Sequence, residues 1–313
     1  MSESPAALSG WSVWVAGARP RTLPAAIVPV LVGTATAAGS ATELGWWRGL
    51  DGWRWAAAVI VALAIQIGTN YANDYSDGKR GTDSAARVGP VRLVGAGLAS
   101  PSAVKRAALI SFGVAALAGL WLAAVTTWWL VPMGAACFAA GWFYTGGPRP
   151  YGYAGFGELF VFVFFGLVAT VGSAFVQLEE VRGLAVAAAV PVGLLATALL
   201  VVNNLRDIPT DAVAGKRTLA VRIGDRNTRL LYVALMVLPF LCVPFVAGLS
   251  GRVLAAAALF TVVLARIPVQ RVLEGATGPK LIEVLGATGR VQLVFGAIFA
   301  AGLFWGVLPA SVA

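Results

Sequence analysis

Long apolar runs occupy most of the chain, and they constrain its fold more than any other feature. Of the 313 residues, 59% are hydrophobic and 12% are charged, with a mean hydropathy of +0.82. A soluble domain carries about 25% charged residues, and a bilayer-crossing helix needs about 20 mostly apolar residues. The sequence therefore predicts an all-α membrane protein with nine transmembrane helices, at Thr22–Gly39, Trp53–Asn73, Ala103–Thr126, Trp128–Tyr144, Gly155–Gln177, Gly183–Arg206, Thr228–Leu249, Val253–Val272 and Arg290–Leu308.

Lys and Arg residues are distributed unevenly between the two sides of this map. Of the 23 Lys and Arg residues, 19 fall on the side of the membrane that holds the N-terminus and four fall on the opposite side. Because cytoplasmic loops are enriched in Lys and Arg, we expect a cytoplasmic N-terminus and, with nine spans, an outer C-terminus. The net charge of +9 follows from this asymmetry and does not indicate nucleic-acid binding. The protein is expected to lie in the cell (plasma) membrane.

Composition also bounds the domain organisation and the kinds of site. No Pro/Ser-rich linker divides the chain, so residues 1–313 are expected to form a single domain, with residues 1–10 as a poorly ordered tail. The chain has no His, which excludes imidazole metal sites and His bases. Cys137 and Cys242 both lie in apolar runs and are expected to be buried, unpaired thiols.

Two short polar clusters interrupt the apolar pattern, each at the end of a predicted span. The first begins at Asn73 and continues through Asp77 to Asp83; the second runs from Asn203 to Asp211. Both contain Asn-x-x-x-Asp, a further Asp and a nearby Gly-Lys-Arg, and both fall on the cytoplasmic side. Carboxylates at the edge of the hydrocarbon are costly, so they indicate a functional site.

The side chains of the two clusters suit Mg²⁺ and a diphosphate. Residues four apart share a helical face, which pairs Asn73 with Asp77 and Asn203 with Asp207. Asp211 joins that face if the helix continues past Pro209, which can instead end it. Since Mg²⁺ takes oxygen ligands and retains substrate phosphates, the predicted ligands are Asn73, Asp74, Asp77, Asp83, Asp207 and Asp211, with Asn203 as a further neutral donor.

Several neighbouring residues have two open interpretations. Basic residues beside the clusters are either diphosphate ligands or ordinary cytoplasmic anchors: Lys79, Arg80, Arg87, Arg92, Lys216 and Arg217. The segment Ser84–Ser100 is either a lid over the site or a simple connector. Glu158 faces either the cavity or the interface, and Tyr144 faces either a reactive intermediate or the interfacial belt.

The two clusters resemble the metal motifs of the UbiA superfamily of intramembrane aromatic prenyltransferases. Asn73-x-x-x-Asp77-x5-Asp83 is similar to the first motif of that family, and Asp207-x-x-x-Asp211 is similar to the second. Within the superfamily, Gly17–Pro24 and Val88-Gly89-Pro90 resemble the menaquinone-pathway branch, which prenylates 1,4-dihydroxy-2-naphthoate.

This resemblance implies a helical bundle around a central cavity that holds the tail of a polyprenyl diphosphate. Two Mg²⁺ ions would bridge its head group to the aspartates, and the acceptor ring would attack the allylic cation and lose its carboxylate, giving demethylmenaquinol. Arg19 or Arg21 would pair with the acceptor carboxylate, although both are also ordinary topology signals. The implied catalytic residues are Asp77, Asp83, Asp207, Asp211 and Tyr144, and the other implied substrate ligands are Asn73, Asn203 and the six basic residues named above.

Other functions remain open from the residues. A UbiA-type enzyme could use another aromatic acceptor. A polyprenyl-phosphate phosphosugar transferase would need a catalytic Asp pair and often His, whereas this chain has no adjacent Asp-Asp and no His. A divalent-cation transporter would place its ligands near the midplane on broken helices, whereas these aspartates lie at span ends beside Lys and Arg.

Overall fold

The computed structural model describes residues 9–39, 50–81 and 91–306, and these residues form helices without strands. Short 3₁₀ segments lie at Pro20–Thr22, Gly152–Ala154 and Val253–Thr261, and a π-helical segment at Phe162–Val168 joins α6 to α7. The α-helices are α1 (Trp11–Ala18), α2 (Pro24–Ala37), α3 (Gly52–Arg80), α4 (Pro101–Val125), α5 (Leu130–Phe143), α6 (Gly157–Val161), α7 (Ala169–Leu178), α8 (Gly183–Val213), α9 (Leu219–Ser250), α10 (Val262–Leu273) and α11 (Pro279–Trp305).

Within the described ranges, seven helical stretches are long and apolar enough to cross a membrane. Two shorter apolar helices, α2 and α5, have 14 residues each and fall in the first and fourth predicted spans. The predicted all-helical architecture is therefore confirmed. The seven stretches are Gly52–Arg80, Pro101–Val125, Gly157–Leu178, Gly183–Val213, Leu219–Ser250, Val253–Leu273 and Pro279–Trp305.

Both polar clusters lie on helices that continue beyond the predicted span ends. Helix α3 extends past Asn73 to Arg80 and ends at Gly81, whose left-handed conformation (φ 68°) suits a residue without Cβ. Helix α8 extends past Arg206 to Val213 and continues through Pro209. The polar side chains therefore project from helical faces rather than from loops.

The predicted boundaries of the first and last spans differ from the helices in the structure. Helix α11 begins at Pro279 rather than at Arg290. Helix α1 and a 3₁₀ turn precede the first predicted span, and Pro24 occupies the first turn of α2, where its missing N–H costs nothing. Of the predicted tail, residues 1–8 lie outside the described residues.

Helix α8 packs against α2, α9 and α11. It also packs closely against the π-helical segment Phe162–Val168, where two glycines face each other. A Cβ at Gly166 would lie 2.6 Å from Gly193 Cα, so the π-helical segment and α8 touch backbone to backbone. Small residues allow such contacts between membrane helices, which are held by packing rather than by water exclusion. The opposite side of α8 meets fully buried rings of α9 and α11, including Tyr232, Phe295 and Phe299. Helix α8 is thus packed against the π-helical segment and against α9 and α11.

Candidate functional site

A cavity of about 390 Å³ lies between α2, α3, α5, α7 and α8. Its deeper walls are apolar and include Val61, Ile65, Phe164 and Val168. Apart from Arg19, its charged lining comes from the C-terminal ends of α3 and α8 and from the segments that follow them. The cavity therefore combines an apolar interior with one charged end.

The first cluster presents one face of α3 to the cavity. Asn73 and Asp77 both line it, and Asn73 Oδ1 accepts a hydrogen bond of 2.8 Å from Thr145 Oγ1. Asp77 is 2% exposed, and its Oδ1 accepts a bond of 2.5 Å from Tyr153 Oη. A buried carboxylate at this position needs partners, and aromatic and basic residues supply them.

The second cluster presents one face of α8 to the same cavity. Asn203, Asp207 and Asp211 all line it, because the helix continues past Pro209 and keeps residues four apart in register. The Arg206 guanidinium donates to both oxygens of Asp207 at 2.7 Å and to Asn203 Oδ1 at 2.8 Å. Sequence reasoning did not assign Arg206, because neighbouring helical residues point about 100° apart and its long side chain must reach around the helix.

Lys216 joins the two clusters. Its Nζ lies 3.4 Å from Asp77 Oδ2, and its backbone N–H donates to the Asp211 carbonyl oxygen at 2.8 Å. Arg92 Nη2 also lies 3.4 Å from Asp77 Oδ2. The ends of α3 and α8 therefore meet at one mouth, where carboxylates and cations alternate.

The donors at this mouth suit a hard divalent cation. Carboxylate and amide oxygens come from Asn73, Asp77, Asn203, Asp207 and Asp211. No three Asp, Glu or Cys residues of the described ranges form a ready-made metal cage. Mg²⁺ does not require one, because it is usually held by one or two carboxylates together with waters and substrate phosphates. Asp83, the remaining predicted ligand, lies outside the described residues.

Asp74 lies apart from the cavity, in contrast to its predicted role as a metal ligand. It is fully buried, and its two carboxylate oxygens accept the backbone N–H groups of Leu93 and Val94 at 2.7 and 3.0 Å. It follows Asn73 directly, so the helix turns it away from the face that carries Asn73 and Asp77. These contacts favour a structural role, in which Asp74 holds residues 91–99 against α3.

The basic residues predicted to bind the diphosphate, together with Arg19 and Arg21, which were predicted to bind the acceptor carboxylate, differ in whether they line the cavity. Arg92, Lys216 and Arg19 line the cavity. Arg80 instead donates to the carbonyl oxygens of Thr145 and Gly147, which ties the α5–α6 loop to α3. The structure places the side chains of Lys79, Arg21 and Arg217 on the exposed surface, outside the cavity lining. Arg87 lies outside the described residues.

Residues 91–100, the described part of the predicted lid, rest against the mouth. Leu93 is fully buried, and Arg92 reaches Asp77 in the cavity. Gly78 permits this packing, since a Cβ there would lie 2.5 Å from Val94 Cβ. Residues 84–90 of the predicted lid lie outside the described residues.

Aromatic rings form one wall of the cavity beside the mouth. The Tyr151 ring lies 5.5 Å from that of Tyr144 and stacks on Phe160 at 4.0 Å, and Phe160 stacks on Phe164 at 5.8 Å. Tyr151 Oη donates to the Ala140 carbonyl oxygen, and burial raises the pKa of this phenol, so it stays neutral. The sequence analysis named Tyr144 but not Tyr151 or Tyr153. The only sequence feature that points to these two residues is that they lie in the loop that follows Tyr144.

Glu158 faces neither the open cavity nor the interface. It is 7% exposed, and its Oε1 accepts a hydrogen bond of 2.9 Å from Asn204 Nδ2. Asn204, which sequence reasoning did not assign, lines the cavity. Cys137 also lines the cavity; it and Cys242 are both free, as predicted, but they are only partly buried.

The sequence of this chain is similar to those of known prenyltransferases. Residues 26–280 match the UbiA prenyltransferase family. The 1,4-dihydroxy-2-naphthoate octaprenyltransferase of Mycobacterium tuberculosis is 49% identical over 307 residues, which cover 96% of this chain and 100% of that protein. The protein of the same name from Mycobacterium leprae is 46% identical over 297 residues, covering 95% and 97%.

A solved structure has the same fold. The UbiA homolog from Archaeoglobus fulgidus, bound to DMAPP and Mg²⁺, superposes with a TM-score of 0.62 at 15% identity, covering 93% of this chain and 98% of that one. At this low identity the likeness establishes the helical architecture alone.

Proposed function

Because this chain belongs to the UbiA prenyltransferase family, we propose that it transfers a polyprenyl group from its diphosphate to 1,4-dihydroxy-2-naphthoate. The ring loses its carboxylate in the reaction, and the product is demethylmenaquinol in menaquinone biosynthesis. The observation that carries this proposal is the convergence of Asp77 from α3 with Asp207 and Asp211 from α8 on one otherwise apolar cavity.

The proposed metal is Mg²⁺, with two ions. Asn73 and Asp77 would hold one, and Asn203, Asp207 and Asp211 the other, with Asp83 as a further ligand. Bound there, Mg²⁺ supplies charge stabilisation to the departing pyrophosphate. The fit of this oxygen-donor set to Mg²⁺ supports the assignment.

The residues of the chain would carry the remaining steps. Arg92 and Lys216, beside Asp77, would bind diphosphate oxygens and stabilise the charge that develops as the C–O bond to the prenyl group breaks. The apolar walls exclude water, which would otherwise capture the allylic cation. The π faces of Tyr144 and Tyr151 would stabilise that cation until the naphthalene ring forms the new C–C bond. Arg19, at the cavity wall, would pair with the acceptor carboxylate.

We propose a single domain of nine spans with a cytoplasmic N-terminus, an outer C-terminus and a cytoplasmic active site in the plasma membrane. The seven long stretches together with α2 and α5 support this count. A helix of 14 residues is about 21 Å long at 1.5 Å per residue. Helices α2 and α5 therefore need flanking residues to cross a hydrocarbon core of about 30 Å. The Lys and Arg asymmetry supports the orientation.

Purified protein in lipid nanodiscs tests the function. We expect pyrophosphate release that requires Mg²⁺, a prenyl diphosphate and 1,4-dihydroxy-2-naphthoate, with mass spectrometry reporting the prenylated, decarboxylated product. Asp77→Ala and Asp207→Ala should abolish both signals, whereas Glu274→Ala, which removes an exposed carboxylate outside the cavity lining, should retain them. Product formed only with another aromatic acceptor would reassign the substrate. Metal flux without pyrophosphate release would favour a transporter.

A further inference from the structure

A buried carboxylate without a role in the proposed mechanism lies behind the cavity wall. Glu158 begins the apolar stretch Gly157–Leu178 and is 7% exposed. Its Oε1 accepts from Asn204 Nδ2 at 2.9 Å, while its Oε2 is buried without a hydrogen-bond partner among the described residues. A carboxylate inside a membrane helix is expensive to bury, and such residues generally have a function.

The hydrogen bond to Glu158 determines which atom of the Asn204 side-chain amide, Oδ1 or Nδ2, stays available to a molecule in the cavity. A side-chain amide has one end that donates and one that accepts, whereas a carboxylate only accepts. Glu158 therefore holds Nδ2, and Oδ1 of Asn204 is left without another hydrogen bond in the described part of the chain. Without the carboxylate, the amide could rotate and present its donor end instead.

Asn204 stands at the boundary between the charged mouth and the apolar walls. On α8 it lies one turn from Asp207 on the mouth side and one turn from Leu200 on the apolar side, and all three line the cavity. This is the depth at which a ring must lie to be next to the diphosphate end of a prenyl chain. A carbonyl oxygen at this depth accepts a hydrogen bond from a donor on that ring.

Tyr144 supplies a hydroxyl group at the same depth. A Cβ at Gly157 would lie 3.2 Å from Leu200 Cδ2 and 3.4 Å from Tyr144 Oη, so the absence of that Cβ lets the phenol pack against the first turn of α6 beside Leu200. Leu200 and Asn204 are four residues apart and share a face of α8. Tyr144 and Asn204, which both line the cavity, therefore lie near the same residue of α8, Leu200.

We propose that Asn204 Oδ1 accepts a hydrogen bond from a ring hydroxyl of the aromatic acceptor, and that Glu158 is the positioning residue that orients Asn204 for it. This inference rests on the proposed function and names the part of the site that selects a hydroxylated ring. Glu158 acts through Asn204 and does not touch the substrate.

Steady-state kinetics with Glu158→Gln test the proposal. Glutamine keeps the shape but can donate as well as accept, so the orientation of Asn204 is no longer enforced. Loss of one hydrogen bond of about 1 kcal/mol corresponds to roughly fivefold. We expect the KM for 1,4-dihydroxy-2-naphthoate to rise by about that factor, with the KM for the prenyl diphosphate unchanged. The preference for this acceptor over 1-hydroxy-2-naphthoate should shrink by the same factor.

A reciprocal exchange provides the rescue. In the double variant Glu158→Gln and Asn204→Asp, the glutamine donates to the introduced aspartate, whose second oxygen faces the cavity as an acceptor. The pair keeps its charge of −1, and we expect the acceptor KM to return to within about twofold of wild type, since the hydrogen bond is restored. Glu274→Gln, an exposed carboxylate, is the matched control and should leave both KM values unchanged.

Three results would overturn the inference. The first is an acceptor KM that Glu158→Gln leaves unchanged, and the second is an equal rise in both KM values, which indicates general damage. The third is a double variant that binds prenyl diphosphate normally but remains as weak for the acceptor as the single variant. Wild-type protein that prenylates no hydroxylated ring overturns the proposed function and this inference together. An active wild type that is insensitive to Glu158→Gln overturns this inference alone.

Discussion

Replacing Asp74 with Asn should loosen the segment that carries Arg92 without altering the metal site. The Asp74 carboxylate accepts the N–H groups of Leu93 and Val94 at 2.7 and 3.0 Å. An Asn side chain has one acceptor oxygen, so one bond is lost and an amide N–H faces another N–H. A hydrogen bond to a charged group contributes about 1.5–3 kcal/mol, and 1.4 kcal/mol corresponds to about tenfold. We therefore expect amide exchange across residues 91–99 to accelerate roughly 10- to 150-fold.

Hydrogen–deuterium exchange in nanodiscs, read by mass spectrometry on peptides covering residues 91–99, measures this change. Because Arg92 reaches Asp77 from the same segment, prenyl diphosphate affinity should fall as well. Asp51→Asn is the matched control: Asp51 caps the other end of α3 by accepting from Trp53 and Arg54 amides, and Asn caps about as well. It should leave exchange at residues 91–99 unchanged.

The opposite pattern would refute this reasoning. Unchanged exchange of residues 91–99 in Asp74→Asn, combined with weaker binding of Mn²⁺ as a paramagnetic probe, would return Asp74 to the metal ligands. Faster exchange with unchanged Mn²⁺ binding would confirm the structural role.

Three further changes test other parts of the site. Gly78→Val places a side chain 2.5 Å from Val94 Cβ, so exchange of residues 91–99 should accelerate, and unchanged exchange would contradict the packing. Gly134→Phe fills open space at the cavity wall and should lower kcat/KM for long prenyl diphosphates more than for short ones. If the dependence of kcat/KM on chain length does not change, the prenyl tail does not lie against Gly134. Tyr153→Phe removes the 2.5 Å bond to Asp77 and should lower kcat/KM about tenfold, as for a hydrogen bond to a charged group, without lowering the thermal midpoint; a lower midpoint alone would make Tyr153 structural.

Several features of the site followed from local sequence patterns. The pairing of Asn73 with Asp77, and of Asn203 with Asp207, depends only on the helical repeat, which the apolar runs already indicated. The same argument predicted that Asp211 would share their face if Pro209 did not end the helix, and the structure continues α8 through that proline. Pro209 removes the bond that an N–H there would donate to the Leu205 carbonyl oxygen, and α8 continues for only one further turn, to Val213.

Other features could not be read from one sequence. Four basic residues lie close to the aspartate clusters in the sequence, and nothing local distinguishes them: Lys79, Arg80, Arg92 and Lys216. Of these four, only Arg92 and Lys216 line the cavity. Arg80 satisfies the carbonyl oxygens of a loop more than 60 residues away in the chain. Which cation reaches which carboxylate depends on how these segments pack, and no local pattern encodes that.

Hydrophobic length and the 3.6-residue repeat are local properties of the chain, so they were enough to predict a helical membrane protein with two acidic helical faces. Only the packed helices show that these faces share one cavity, that Asp74 accepts the N–H groups of Leu93 and Val94, and that Glu158 accepts a hydrogen bond from Asn204. Those relations join side chains from helices and loops distant in sequence, and their geometry arises only when the helices pack.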